Sequence, residues 1–256
     1  MLRLQVPGLA PAQPGQFIHL TCGPDLTLPR PFSILDSDSA NQTIDLLYRV
    51  TGEGTQRMTT WQTGFVTPVL GPIGHPFTVP PTGTQAILVA GGVGLAPLDF
   101  LARQLAAQGI ATTVLWGIET DPPFPVEPDP VQGWSVLSHL HARGIPSRLA
   151  AMTPRVGFFQ GTVVELAADH LQPLTALERK DLMLYTCGPT PMMAALALVA
   201  ERFGLRGEAS LEARMACGFG ACVGCVALMA AGQYRRVCVD GPVFALAEVD
   251  WRQRGL

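Results

Sequence analysis

The sequence predicts an α+β chain of several domains: an N-terminal antiparallel β-barrel, a doubly wound α/β domain on a parallel sheet, and a small C-terminal domain built on a cysteine loop. Three observations predict it. Short strand-like runs divided by turn residues fill positions 1–80. Apolar strands alternate with helix-patterned stretches over 81–208. Four cysteines crowd the segment 209–256.

In the first domain, "LRLQV" alternates apolar and polar residues, as a half-buried strand does. "QFIHLTC", "RPFSILD" and "TIDLLYRVTG" follow, each bounded by Gly, Pro, Asp or Asn, and "FVTPVLGPIGHPF" closes the series. Short strands at close spacing describe a small barrel or sandwich. "GEGTQRMTTWQTG" holds the single helix candidate, from about Thr55 to Trp61, with Thr55 as N-cap. Its amino end suits a phosphate; a plain connector is the alternative. "TVPPTGTQ" reads as a linker near residue 80.

In the second domain, "TQAILVAGG" is a continuous apolar run, the mark of a buried parallel strand. "VGLAPLDFLARQLAAQG" is a helix that stops at Gly109. "ATTVLWG" is the next strand, and a Pro-rich loop spans 121–133. "WSVLSHLHARG" reads as a helix, "SRLAAM" as a strand and "TVVELAADHL" as a helix. "DLMLYTCGP" is a strand and turn, and "TPMMAALALVAERFG" is a helix ending at Gly204. Sheets of this kind bind ligands at the carboxyl ends of their strands. Two glycine turns fall there: "GGVGLAP" with Gly92 and Gly94, and "CGPTPM" with Cys187, Gly188 and Pro189. The first is an incomplete dinucleotide fingerprint, because Pro97 stands where the third glycine belongs. A nucleotide site and simple close packing both account for these turns.

In the third domain the spacing is Cys217-x4-Cys222-x2-Cys225-x12-Cys238. This is the plant-type ligand order of a [2Fe–2S] cluster. Gly218, Gly220, Ala221 and Gly224 keep side chains away and leave amides free to face the sulfurs. Structural zinc is the alternative, but it favours two C-x2–4-C pairs over this three-plus-one arrangement. Cys22 reads as a small buried hydrophobe. The five histidines read as packing or surface residues: His19 and His75 in β structure, His139 and His141 near a helix end, His170 at another. No hydrolytic triad or paired carboxylates stand out, and no catalytic side chain is assigned.

Composition narrows the class. A formal charge of −3 does not point to nucleic acid or to an anionic membrane surface. Charged residues are 14% and hydrophobic ones 48%, which fits a surface covered by a partner or cofactors. No stretch has the length of a transmembrane span, and "MLRLQVPGLA" lacks a signal peptide's charged and apolar regions. A cytoplasmic chain is expected, where clustered cysteines serve metals or redox groups.

The order of barrel, nucleotide domain and cysteine loop resembles the ferredoxin–NADP reductase superfamily with a ferredoxin-like module appended. "RPFS", Arg30 to Ser33, is similar to that superfamily's FAD motif. The resemblance implies that Arg30 reaches the pyrophosphate, that Phe32 lies along the isoalloxazine, and that Ser33 sits near flavin N5, with Pro31 between. Many relatives have tyrosine at the Phe32 position. Tyr48, Arg49 and Val50 look like the second FAD segment, and Gly54 and Thr55 like the third. "SLEARMACGFGACVGCV" with "YRRVCVDGPVF" resembles, more narrowly, the electron-transfer subunits of type-B dihydroorotate dehydrogenases. "LGPIG", "GGVGLAPL" and "CGPTPM" match in order, and the resemblance covers nearly the whole chain. Relatives carry more residues ahead of the first strand, so this strand is either shortened or starts upstream of Met1.

The resemblance implies FAD, a [2Fe–2S] cluster and NAD as cofactors. It also implies an FMN-containing dihydroorotate dehydrogenase catalytic subunit as partner, two of each in a heterotetramer, serving pyrimidine (UMP) biosynthesis. The substrate site would lie on the partner, and the loop around Phe219 and Val223 is the expected contact. Glu119 in "WGIETD" is placed to accept from a ribose 2′-OH, which favours NAD over NADP; a solvated loop acid is the alternative. Two other readings stand beside this one. One is the reductase subunit of another flavin and iron–sulfur NAD(P)H enzyme, of ferredoxin, sulfur-reductase or hydrogenase type. The other is a cluster-containing redox sensor without flavin.

Overall fold

The computed structural model describes residues 1–252; positions 253–256 of the third expected domain lie outside the described residues. β1 (Leu2–Gln5), β2 (Phe17–Leu20), β3 (Arg30–Asp38), β4 (Thr43–Leu46) and β5 (Val69–Ile73) form one antiparallel sheet in the order β1-β4-β3-β2-β5. Its inner face buries Ile18, Leu20, Ile34, Ile44 and Leu46. All four residues of β2 are buried. Ile18 and Leu20 fill the first domain's core, while Phe17 on the opposite face joins a core shared with Cys225 and Cys238. The cysteine domain therefore packs on the outer face of β2.

The short helix α1 (Glu53–Met58) starts earlier than expected, with Gly52 as N-cap. Thr55 is not the cap. Its Oγ1 accepts the amides of Thr51 and Gly52 at 3.0 and 3.2 Å and donates to the Gly52 carbonyl at 3.0 Å. The hydroxyl closes the turn ahead of the helix from inside the first turn.

The second domain runs β6 (Gln85–Gly91), α2 (Leu95–Ala107), β7 (Thr112–Gly117), β8 (Val126–Pro128), β9 (Ser135–Leu137), α3 (Ser138–His141) and β10 (Ser147–Ala151). It continues with β11 (Phe159–Gln160), α4 (Val163–Leu171), α5 (Ala176–Lys180), β12 (Leu182–Cys187), α6 (Thr190–Phe203) and β13 (Arg206–Ser210). Residues of α2 pack into the core on one face of the sheet, and residues of α4 and α6 into the core on the other, so the domain is doubly wound. α6 ends at Gly204, whose left-handed φ of +67° closes the helix.

Besides β8, which forms inside the stretch 121–133 expected as a Pro-rich loop, two elements differ from expectation. "WSVLSHLHARG" is mostly not helical: it gives β9, then the four-residue α3. β9 pairs with β8, and the amides of Ser135 and Leu137 are taken by the Gly157 carbonyl and the Ser147 hydroxyl. Tertiary partners outweigh the local pattern. β13, "RGEAS", has no apolar run; it is held in the sheet by parallel pairing to β12.

β14 (Val226–Leu228) and β15 (Tyr234–Arg236) form a hairpin, and β16 (Val243–Ala245) returns antiparallel to β13. The large sheet thus has the order β11-β10-β7-β6-β12-β13-β16. β13 crosses the 208/209 position, and the cysteine segment hangs between two strands of the nucleotide sheet. It is also tied to the first domain. The His75 amide donates to the Gly241 carbonyl at 2.6 Å, and a Cβ on Gly74 would lie 2.4 Å from Pro242 Cδ. "LGPIG" and "DGPVF" therefore pack directly on one another.

Candidate functional site

The loop from Cys217 to Cys225 folds tightly against its neighbours. Gly218 and Gly220 have φ of +77° and +87°. A Cβ at Gly218 would come 2.8 Å from His19 Nδ1, and one at Gly220 would come 3.1 Å from Val239 Cγ2. Only glycine combines that backbone with that approach. Val223, at φ +55°, is a strained exception; it is exposed, as is Phe219 of the same loop.

The backbone converges on sulfur. The Cys222 amide lies 3.4 Å from Cys217 Sγ. With the amides of Phe219 and Ala221 it holds the Cys217 thiol down at about 6. The Cys222 thiol also donates a hydrogen bond to the Cys217 sulfur. Cys238 is buried beside Cys225; burial first, and Cys225 next, push its thiol up to about 12. The four thiols thus form two touching pairs, Cys217 with Cys222 and Cys225 with Cys238. None is in a disulfide. Among the described residues no three His, Cys, Asp or Glu side chains surround a single-ion position. A cluster of two irons takes its protein ligands two per iron, so paired thiols, converging amides and a loop of small residues fit a [2Fe–2S] group.

Two contacts bring FAD candidates of the first domain together. Phe32 is buried with its ring edge-on to Tyr48, centroids 6.1 Å apart. Pro31 and Ser33 face outward from β3, opposite His19 and Phe17 of β2. A Cβ on Gly54 would meet Arg30 Cγ at 3.4 Å, which places the first turn of α1 beside Arg30. Thr55 is committed to its own loop, as described. Val50 and Arg49 are exposed, and Arg49 Nη1 lies 3.7 Å from Glu119, the ribose candidate.

The two glycine turns touch. A Cβ on Gly94 would lie 2.2 Å from the Cys187 carbonyl oxygen, and one on Gly188 would lie 2.9 Å from the Gly91 nitrogen. Pro189 packs against Gly91 from the same side. Close packing accounts for Gly94 and Gly188. Gly92 differs: its φ is +53°, nothing stands within 4 Å of its Cβ position, and its carbonyl accepts the Trp116 indole N–H at 2.9 Å. That open backbone is where a ligand can approach.

Two further side chains, Glu212 and His19, have surroundings that the sequence does not indicate. Burial first, then the Glu212 carboxylate, push the Cys187 thiol up to about 12, while a hydrogen bond with Ser210 works the other way. Glu212 lies in "SLEARM", a signal for the cluster segment that gave no hint of facing Cys187. His19 is buried, as a packing residue is, with neither ring nitrogen bonded.

Comparison with known proteins agrees with this geometry. Residues 212–250 match the model of the iron–sulfur cluster binding domain of dihydroorotate dehydrogenase B. The electron transfer subunit of dihydroorotate dehydrogenase B (NAD(+)) from Shouchella clausii is 35% identical, covering 93% of this chain and 86% of the relative. The same subunit from Desulforamulus reducens is 36% identical, covering 94% and 87%. Among solved structures, an NADH-dependent reduced ferredoxin–NADP oxidoreductase has a TM-score of 0.82 at 27% identity, covering 98% of this chain and 84% of that one. An Amycolatopsis cytochrome P450 reductase, at 19% identity and TM-score 0.62, shares the fold. With cysteine loop, flavin-side strand and paired glycine turns in one frame, the chain belongs to the family of dihydroorotate dehydrogenase B electron transfer subunits.

Proposed function

We propose that this chain carries electrons from a partner subunit, which oxidises dihydroorotate on its own FMN, to NAD⁺ in pyrimidine biosynthesis. When bound, a [2Fe–2S] group supplies one-electron exchange and FAD converts it to the hydride that NAD⁺ accepts. Cys217, Cys222, Cys225 and Cys238 hold the first group; the amides of Cys222, Phe219 and Ala221 keep Cys217 ready to ligate. Burial of Cys225 and Cys238 keeps water from the side facing the first domain. Arg30, whose Nη1 donates to the Leu28 carbonyl at 2.5 Å, would offer its remaining N–H groups to the FAD pyrophosphate, beside Gly54 and a turn locked by Thr55. Tyr48 supports Phe32, and Arg49 and Val50 border the same end. Pro31 and Ser33 present the outer face of β3. Gly92 gives NAD an open backbone, above the packed contact of Gly94 with Cys187, Gly188 and Pro189. Glu119 serves the ribose, with Arg49 as its neighbour.

The observation that carries this reading is the pairing of four free cysteines against the outer face of β2, whose inner face is the flavin domain's core. The exposed Phe219 and Val223 beside Cys222 support a partner contact at the loop. A heterotetramer of two chains of each kind fits the family. A cytoplasmic setting fits the free cysteines, and no helix among the described residues is long and apolar enough to cross a membrane. Purified chain alone is expected not to oxidise dihydroorotate. Co-purified with an FMN-type catalytic subunit it is expected to reduce NAD⁺ with dihydroorotate. Dihydroorotate oxidation by the lone chain would overturn the assignment.

The likeness to a ferredoxin–NADP oxidoreductase favours one second reading, exchange with ferredoxin. NAD⁺ reduction driven by reduced ferredoxin but not by dihydroorotate and the partner would select it.

A further inference from the structure

His19 sits on β2 with 1% of its surface exposed, and neither Nδ1 nor Nε2 has a hydrogen-bond partner. Buried polar groups are almost always bonded, and an unpaired one is destabilising. Its surroundings narrow what could pair with it. Phe17 stands edge-on at 6.3 Å between ring centroids. Pro31 of β3 and Leu70 of β5 lie opposite it in the ladders on either side. On the side of the cysteine segment its neighbour is Gly218, whose Cβ position would fall 2.8 Å from Nδ1. Gly218 follows Cys217 directly, so this nitrogen faces the cysteine loop. Burial first, and then the Arg30 charge, keep the ring neutral, with one N–H to give.

We propose that His19 donates its N–H to a sulfur of the [2Fe–2S] group held by the cysteine loop, and thereby tunes that group's reduction potential. The proposal rests on the reading of Cys217, Cys222, Cys225 and Cys238 as ligands. Phe17, Pro31 and Leu70 offer no side-chain acceptor, whereas the sulfurs of a bound cluster carry negative charge. Glycine at 218 is what lets ring and loop meet. An N–H directed at sulfur stabilises the additional electron, so it raises the potential. His19 is a positioning residue that belongs to the seam between the flavin strands and the loop.

The test is an EPR-monitored potentiometric titration of the full chain loaded with FAD and cluster, in wild type, His19→Phe and His19→Gln. Phenylalanine keeps the buried ring and removes the donor; glutamine keeps a donor. His19→Phe is expected to lower the equilibrium constant for one-electron reduction about tenfold, a shift of ~59 mV to more negative potential. His19→Gln is expected to recover most of it at equal iron content. An unchanged potential and EPR signal in fully loaded His19→Phe would overturn the proposal, leaving the ring a packing element. Should His19→Phe load no cluster, His19→Gln decides: loading with near wild-type potential supports the donor, and failure to load overturns it. Absence of a [2Fe–2S] signal from wild type would instead remove the ligand reading itself.

Discussion

Arg103 is held by Asp99 one turn earlier on α2, Nε to Oδ1 at 2.9 Å, and carries that contact across to the first domain. Its Nη1 donates to Asp36 at 2.9 Å and its Nη2 to the Leu35 carbonyl at 2.6 Å, both on β3. His139 meets the other oxygen of Asp99 at 2.5 Å, and its ring lies 5.0 Å from Phe124, which abuts Trp116. Trp116 in turn holds the Gly92 carbonyl. The strand that carries Arg30 to Ser33 is thus braced to the helix that starts at the glycine turn.

The Asp99 side chain is only 3% exposed, so removing Arg103 leaves a buried carboxylate with His139 as its remaining side-chain partner. Arg103→Met is expected to lower stability by about 3 kcal/mol, read from urea unfolding. Adding Asp99→Leu should restore part of that loss, because the uncompensated charge is then gone. A single variant within about 0.5 kcal/mol of wild type would show that the brace is not structural.

Gly94 and Gly92 separate packing from ligand approach. Gly94→Ala forces a methyl into the Cys187 carbonyl and is expected to destabilise by about 3 kcal/mol. Gly92→Ala meets only its left-handed φ, a cost of about 1 kcal/mol, and should leave a folded chain with weakened NADH binding. Thermal melts and NADH titrations of both variants check this. Equal melting temperatures would contradict it.

Cys187 is expected to resist alkylation. Its thiol pKa, raised by burial and by Glu212, lies well above pH 8, so the folded chain holds little thiolate there. Iodoacetamide at pH 8 should leave Cys187 unmodified in the folded, cluster-loaded protein and modify it after denaturation, by peptide mass analysis. Relieving the charge with Glu212→Gln should lower the pKa and quicken the reaction. Rapid modification in the folded wild type would show that Cys187 is ionised.

Cys238 lies farthest from solvent among the four thiols at 0% exposure, and Cys222 is exposed. Cys238→Ala is expected to abolish bound iron and sulfide while flavin content persists, since the FAD candidates lie on other segments. Wild-type iron in Cys238→Ala would exclude it as a ligand.

Legibility followed locality. The iron–sulfur segment could be read, as the family match over 212–250 bears out, because cluster ligation imposes a short spacing and small intervening residues, all within one segment. β6, α2 and α6 could be read because a central parallel strand and its covering helices bury enough surface to mark the pattern. β13 could not, because "RGEAS" becomes a strand through β12. Thr55 was misplaced because its hydroxyl bonds backward, a choice made by the loop. Burial bears out His19 as a packing residue, but its approach to Gly218, like that of Glu212 to Cys187, is made by the fold and leaves no local pattern.

The most direct test of the central claim is an anaerobic NADH titration of the purified chain, followed by visible absorption. Bleaching of both the flavin bands and the broader cluster absorbance is the expected result, and would show that NAD, FAD and the cysteine loop form one electron path. Flavin that bleaches while the cluster absorbance stays, or a protein with no flavin bands, would contradict it.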